Sequence, residues 1–170
     1  FGKKQTNARK EWITSFDPEG ILVLEDENAI NIQSTCSDFV ETELVVFSIA
    51  NCARSLPHLM DGLKESQRKI LYTLLKQKLT FDKPSKKVYR LSGEVGSMTE
   101  YVHGEQCLWD TITGMAWDFV GSNNVPLLVP AGQFGSRLAM GKDAANARYI
   151  FTRQQEIVPY IFRPEDLPIM

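Results

Sequence analysis

A chain of 170 residues with 43% apolar side chains has the size and composition of one folded soluble domain, with room for a piece of a second. No apolar run reaches the roughly 18–20 residues that span a bilayer, and the opening FGKKQTNARKEW lacks a signal-peptide core, so an intracellular chain with no membrane partner is expected. Cys36, Cys52 and Cys107 are odd in number, widely spaced and without a Cys-x-x-Cys pair, which argues against a disulfide framework and a zinc site and leaves reduced, partly buried thiols as the expectation.

In chain order, ARKEWITSF predicts a short helix, and Asp17 to Asp38 lacks helical periodicity and reads as a linker with short strands. Leu44, Phe47, Ile49 and Ala50 then suit a helix entered near Asp38 or Thr42 and stopped before Pro57. Asp61 and Gly62 open the next. In DGLKESQRKILYTLLKQKL the residues Leu63, Ile70, Leu71, Leu74, Leu75 and Leu79 trace one face, with bases on the other. The net charge of −2 hides this segregation: Lys64, Arg68, Lys69, Lys76, Lys78, Lys83, Lys86, Lys87 and Arg90 are opposed only by Glu65 and Asp82. Such a run suits either a solvated helix face or a patch that neutralises several phosphates, and charge alone leaves both open.

Two further helices fit VYRLSGEVGSMTEYV and HGEQCLWDTITGMAWDFV, the second with Leu108, Ile112, Met115, Ala116 and Phe119 inward. Joined by a tight turn near Val102 to Gly104, they form a helix-turn-helix pattern. VPLLVP and RYIFT then read as two strands joined by the Gly-rich AGQFGSRLAMGKDAANA, a wing. The expected fold class is α+β, a winged-helix domain (helix-turn-helix plus β wing) with an N-terminal linker segment. A tyrosine in such a strand is ordinarily an amphipathic packing residue; the question is whether Tyr149 is more.

The blocks RSLPHLMDGLKESQRKILY, YVHGEQ, FVGSNN, GQFGSR and GKDAANARYIFT, in this order, resemble the winged-helix region of type IIA DNA topoisomerases, most closely the eukaryotic branch. RKEWI and DFVETELVVFS resemble the connection from that family's metal-binding (TOPRIM) domain. The implied division is a linker over 1–43, a winged-helix DNA-cleavage domain over 44–160 and the start of the tower domain over 161–170. The divergent first 40 residues point to a large DNA virus as one source.

The resemblance matches Tyr149 to the nucleophile that attacks a DNA phosphodiester and stays joined to the 5′ phosphate, which conserves the bond energy for resealing. A free phenol ionises near pH 10, so about one part in a thousand is anionic at neutral pH, and such a nucleophile needs cations and a proton acceptor. Arg148 matches the arginine that stabilises charge on the attacked phosphate. Neighbouring strand residues face opposite ways, so for both to reach one phosphate they belong on the loop just before the strand. His103 matches a family histidine open to proton relay or phosphate contact, though Val102 stands where eukaryotic relatives carry another. Arg54 matches an arginine beside the scissile phosphate and also suits a helix C-terminus. Asp61, Lys64, Arg68 and Lys69 match a segment along the DNA backbone, with an N-cap as the plainer role for Asp61. Gln106, Ser122, Asn123, Gln133 and Arg137 lie in matched blocks that contact DNA or hold the wing.

The resemblance further implies an ATP-hydrolysing enzyme that cleaves both strands of duplex DNA, passes another duplex and reseals. It implies a homodimer, with Mg2+ and ATP bound outside these residues, and a place in the nucleus, or in the host cytoplasm or virion for a cytoplasmic virus. The chain then reads as a fragment unable to cleave alone. A winged-helix regulator that binds DNA without chemistry would need the helix-turn-helix and the basic patch but not the Arg148–Tyr149 pair. A tyrosine recombinase or type IB enzyme would form a 3′ link instead.

Overall fold

A computed structural model describes residues 2–18 and 35–170, which fall into two compact units divided between Gly62 and Leu63. Residues 19–34, most of the expected linker strands, lie outside the described residues.

In the first unit, α1 spans Thr6–Thr14 and α2 spans Cys36–Phe39. Thr35 starts α2 with a reciprocal cap: its hydroxyl accepts from Asp38 N at 3.1 Å while its own N–H donates to the Asp38 carboxylate at 3.2 Å. The helix is entered earlier than expected and continues through a π-helical turn, Val40–Leu44, into α3, Val45–Ser55. That wider turn adds a residue to the helical repeat and shifts every face downstream. The helix expected from Leu44, Phe47, Ile49 and Ala50 is present; within it Val45 is buried, whereas Phe47 is 61% exposed. Cys36 is also exposed, as is Cys107, against the expectation of partly buried thiols; Cys52 is half-buried.

The second unit is built on α4 (Glu65–Lys76), α5 (Val88–Thr99) and α6 (Glu105–Ala116). Helix α4 starts later than expected, with Lys64 and not Asp61 at the N-cap, and the Lys64 N–H donates to Gln67 Oε1 at 2.9 Å. It ends in a left-handed Lys78 (φ +53°), with Lys78 N–H to Leu75 O and Leu79 N–H to Leu74 O both at 3.0 Å. This paired closure folds Leu79 back over the helix end into the core. Ile70 and Leu74 of α4, Val88, Leu91 and Val95 of α5, and Leu108, Ile112 and Met115 of α6 form one buried cluster with Leu128, Phe134, Ala147 and Ile150 of the wing. Burying each Leu or Ile there contributes about 1.5–3 kcal/mol. Phe119, expected on the inner face of α6, lies past its end and packs on Trp117.

The expected wing strands pair antiparallel, with Val129 N–H to Arg153 O at 2.9 Å and Ala131 and Phe151 exchanging bonds at 2.9–3.0 Å. A strand the pattern did not show, β1 (Lys86–Lys87), pairs antiparallel with β2 (Phe151–Thr152). The wing loop is tight where two glycines meet: a Cβ on Gly135 (φ +109°) would come within 2.5 Å of Gly141 Cα, and one on Gly141 (φ +78°) would overlap the Trp117 ring. Trp117 locks this contact by donating Nε1–H to Phe134 O at 2.8 Å. The chain ends in α7 (Val158–Ile161) and a 3-10 helix (Pro164–Ile169), and Val158 closes a small cluster with Leu63 and Leu71.

Candidate active site at the base of the wing

Arg148 and Tyr149 stand on a turn between the wing loop and β2, the placement that lets both side chains share one side. Asn146 builds the turn. Its side-chain oxygen accepts from Arg148 N at 3.1 Å and its carbonyl from Tyr149 N at 2.9 Å. Ala147 and Ile150 bracket the pair, both buried, and their carbonyls accept the N–H groups of Tyr89 and Val88 at 3.0 Å. The backbone is thus anchored in the core while the Tyr149 side chain is 74% exposed, which overturns the packing role a strand tyrosine ordinarily has. The Arg148 guanidinium lies 6.0 Å from the Tyr89 ring centroid. Beyond Tyr89 opens a cleft of about 730 Å³ lined by Lys87, Arg90 and Phe151 among others.

His103 sits on the helix-turn-helix turn, its ring edge-on to Tyr101 at 5.3 Å, and Lys69 Nζ lies 5.9 Å from the same Tyr101 ring. Lys69 of α4 and His103 thus flank one aromatic. Lys69 also pairs with Glu65 at 2.9 Å, and Arg68 donates to Leu63 O at 3.2 Å. Gly104 caps α6 without a side chain, and within the first turn the Cys107 N–H donates to Gly104 O at 3.1 Å. Gln106, one turn in, donates to Asp110 at 2.8 Å. Arg54 lies in the first unit at the end of α3 and donates to Asn51 Oδ1 at 3.0 Å, and Asp61 belongs to the same unit.

Ser122 and Asn123 close the C-terminus of α6: the Asn123 amide donates to Gly114 O at 2.7 Å and Trp117 O at 2.9 Å, and the Ser122 hydroxyl donates to Phe119 O. Gln133 donates to Asp143 at 3.3 Å, and Arg137 is exposed on the wing loop. Sequence reasoning missed Asn146, Asp143, Tyr89 and Trp109. The run Asn-Ala-Arg before the strand carries a turn signal for Asn146; nothing local marks the rest.

Asp143 accepts the Ser136 N–H at 2.7 Å, and the Ser136 backbone and hydroxyl hold its carboxyl below the ordinary value of 3.8. A carboxyl lowered on folding stabilises the loop above its unfolded pKa, and that contribution is lost as pH falls through the folded value. The Ser136 amide resonance should therefore shift on acidification below the ordinary carboxylate range. Asp143→Asn is expected to remove that step, and a variant that still shows it would rule out this carboxyl as the cause.

A helix-turn-helix whose wing presents a solvent-facing tyrosine beside an arginine defines a winged-helix domain with an exposed tyrosine at the wing's base. A family model for the A-subunit of DNA gyrase/topoisomerase IV matches residues 54–170, and the chain belongs to that family. DNA topoisomerase 2 of Invertebrate iridescent virus 6 is 50% identical over 100% of the chain and 15% of its own length. DNA topoisomerase 2 of Saccharomyces cerevisiae is 45% identical over 99% of the chain and 11% of its own length. The crystal structure of the Plasmodium falciparum topoisomerase II DNA-binding, cleavage and re-ligation domain superposes with a TM-score of 0.79 at 41% identity, covering 100% of this chain and 22% of that one. The chain thus spans a small part of the relatives it matches.

Proposed function

We propose that this chain is the nucleophile-bearing part of an ATP-dependent type IIA DNA topoisomerase. The observation that carries this is the exposed Tyr149 on a turn whose backbone is fixed in the core, beside Arg148. Attack of the Tyr149 oxygen on a DNA phosphorus forms a phosphotyrosine ester at the 5′ end and breaks the bond to the 3′ oxygen, which leaves as a hydroxyl. The phenolic proton passes to a base, an equivalent proton is taken up by the departing 3′ oxygen, and return of the 3′ hydroxyl reverses the step. Arg148 offsets charge on the equatorial oxygens. His103, on the turn before α6, serves the same phosphate, and Arg54 of the first unit is a phosphate-contacting arginine by its match to the family. Lys64, Arg68, Lys69 and Gln106 meet the backbone of the duplex, with Asp61 orienting its basic neighbours. Ser122, Asn123, Gln133 and Arg137 hold α6 and the wing against the duplex.

Among the described residues no three His, Cys, Asp or Glu side chains gather as a metal site requires. Mg2+ and ATP belong to other parts of the whole protein, which acts as a homodimer inside the cell, one tyrosine per strand. Among the described residues no helix is long and apolar enough to cross a membrane.

The test is to trap the adduct of the parent protein on duplex DNA with denaturant and map the blocked end. A blocked 5′ end is expected; a blocked 3′ end refutes the reading. Binding should also weaken steeply with salt, since the contacts are to phosphates. Flat affinity from low to physiological salt, or no loss when Lys64, Arg68 and Lys69 are all neutralised, would remove the phosphate-facing assignment.

A further inference from the structure

Arg148 is exposed, and aiming a long side chain at one phosphate costs conformational freedom that its surroundings must offset. Its aromatic neighbour is Tyr89, in the first turn of α5 and 59 residues away in sequence, with the guanidinium 6.0 Å from the ring centroid. Tyr89 is itself held from three sides. Its N–H donates to Ala147 O at 3.0 Å, next to Arg148 in the chain. Its carbonyl accepts the hydroxyl of buried Ser92 at 2.8 Å, and that hydroxyl in turn accepts Trp109 Nε1–H at 2.7 Å. The Trp109 ring stands 6.0 Å from the Tyr89 ring at 53°. Trp109 belongs to α6, so a continuous path of ring contacts and hydrogen bonds joins the second helix of the helix-turn-helix to the turn carrying the nucleophile.

We propose that Tyr89, fixed by Ser92 and Trp109, is a positioning residue that orients Arg148 for the phosphate; this rests on the role proposed above for Arg148. The ring face attracts the guanidinium and narrows its range, while Trp109 ties the ring's position to that of α6. Bulk alone does not supply this, because a branched aliphatic side chain has no negative face to offer a cation.

The experiment uses the parent protein with Mg2+ and duplex DNA, and measures the rate of adduct formation, DNA affinity and Tm for Tyr89→Phe, Tyr89→Leu, Arg148→Ala and the Tyr89→Leu/Arg148→Ala pair. Tyr89→Leu should slow adduct formation by about two- to five-fold, the size of an exposed cation–aromatic contact, with affinity and Tm little changed. Tyr89→Phe should keep the wild-type rate, and Tyr89→Leu should add nothing in the Arg148→Ala background. A wild-type rate for Tyr89→Leu, or the same loss in both backgrounds, overturns the inference while the role of Arg148 stands. If Arg148→Ala itself leaves the rate unchanged, the role of Arg148 fails and the inference falls with it. Were Tyr89→Leu to lower Tm, Trp109→Phe, which removes the bond to Ser92 and keeps a ring, should slow wild type and be silent without Arg148; loss in both backgrounds refutes the inference.

Discussion

Tyr149→Phe in the parent protein should lower covalent adduct formation by at least about four orders of magnitude, as removal of a covalent nucleophile does in other enzymes, while duplex affinity is nearly unchanged. Only an exposed hydroxyl is lost, with no core contact and no backbone bond, because the turn is held through main-chain groups and Asn146. Arg148→Ala keeps the nucleophile and should instead slow cleavage and resealing together, since the same charge develops in both directions. A Tyr149→Phe protein that still relaxed supercoiled DNA would end the assignment and favour a non-catalytic winged helix.

The second large effect is structural. Gly141→Ala should destabilise the fold by about 3 kcal/mol or more, because overpacking and a left-handed non-glycine backbone each cost about 1–3 kcal/mol. The added methyl would overlap the Trp117 ring, which cannot retreat without giving up its bond to Phe134 O. Gly114→Ala is the matched control: a Cβ there meets nothing within 4 Å in the interior of α6, and alanine should stabilise by about 0.5–1 kcal/mol. Denaturant unfolding of both variants decides it, and equal midpoints would show that the wing loop yields more readily than its packing indicates.

The three helices of the second unit were legible because each buries one stripe at helical spacing, as Ile70, Leu71 and Leu74 do. The helix holding Phe47 was legible too, but not the π-helical turn Val40–Leu44 ahead of it, whose wider repeat leaves no mark in the residue types. Strand β1 had no local signal at all: two lysines become a strand only because Phe151 and Thr152 lie alongside. Within the site, the turn position of Arg148 and Tyr149 followed from the need for two neighbours to face one phosphate. Tyr89 and Trp109 did not, because their relation to Arg148 exists only after α5, α6 and the wing have packed.

The turn beneath Tyr149 is pinned before and after the residue, by Tyr89 N–H on Ala147 O and Val88 N–H on Ile150 O. On the proposed chemistry a severed DNA end hangs from one side chain rooted in a backbone without slack. Tension on that end passes through the Tyr149 side chain into the start of α5 and the buried cluster behind it. The object that travels when the break opens is then the body of the domain, with the DNA end as its handle. Because the attachment point moves with the body, closing the body returns it to its place beside the other end.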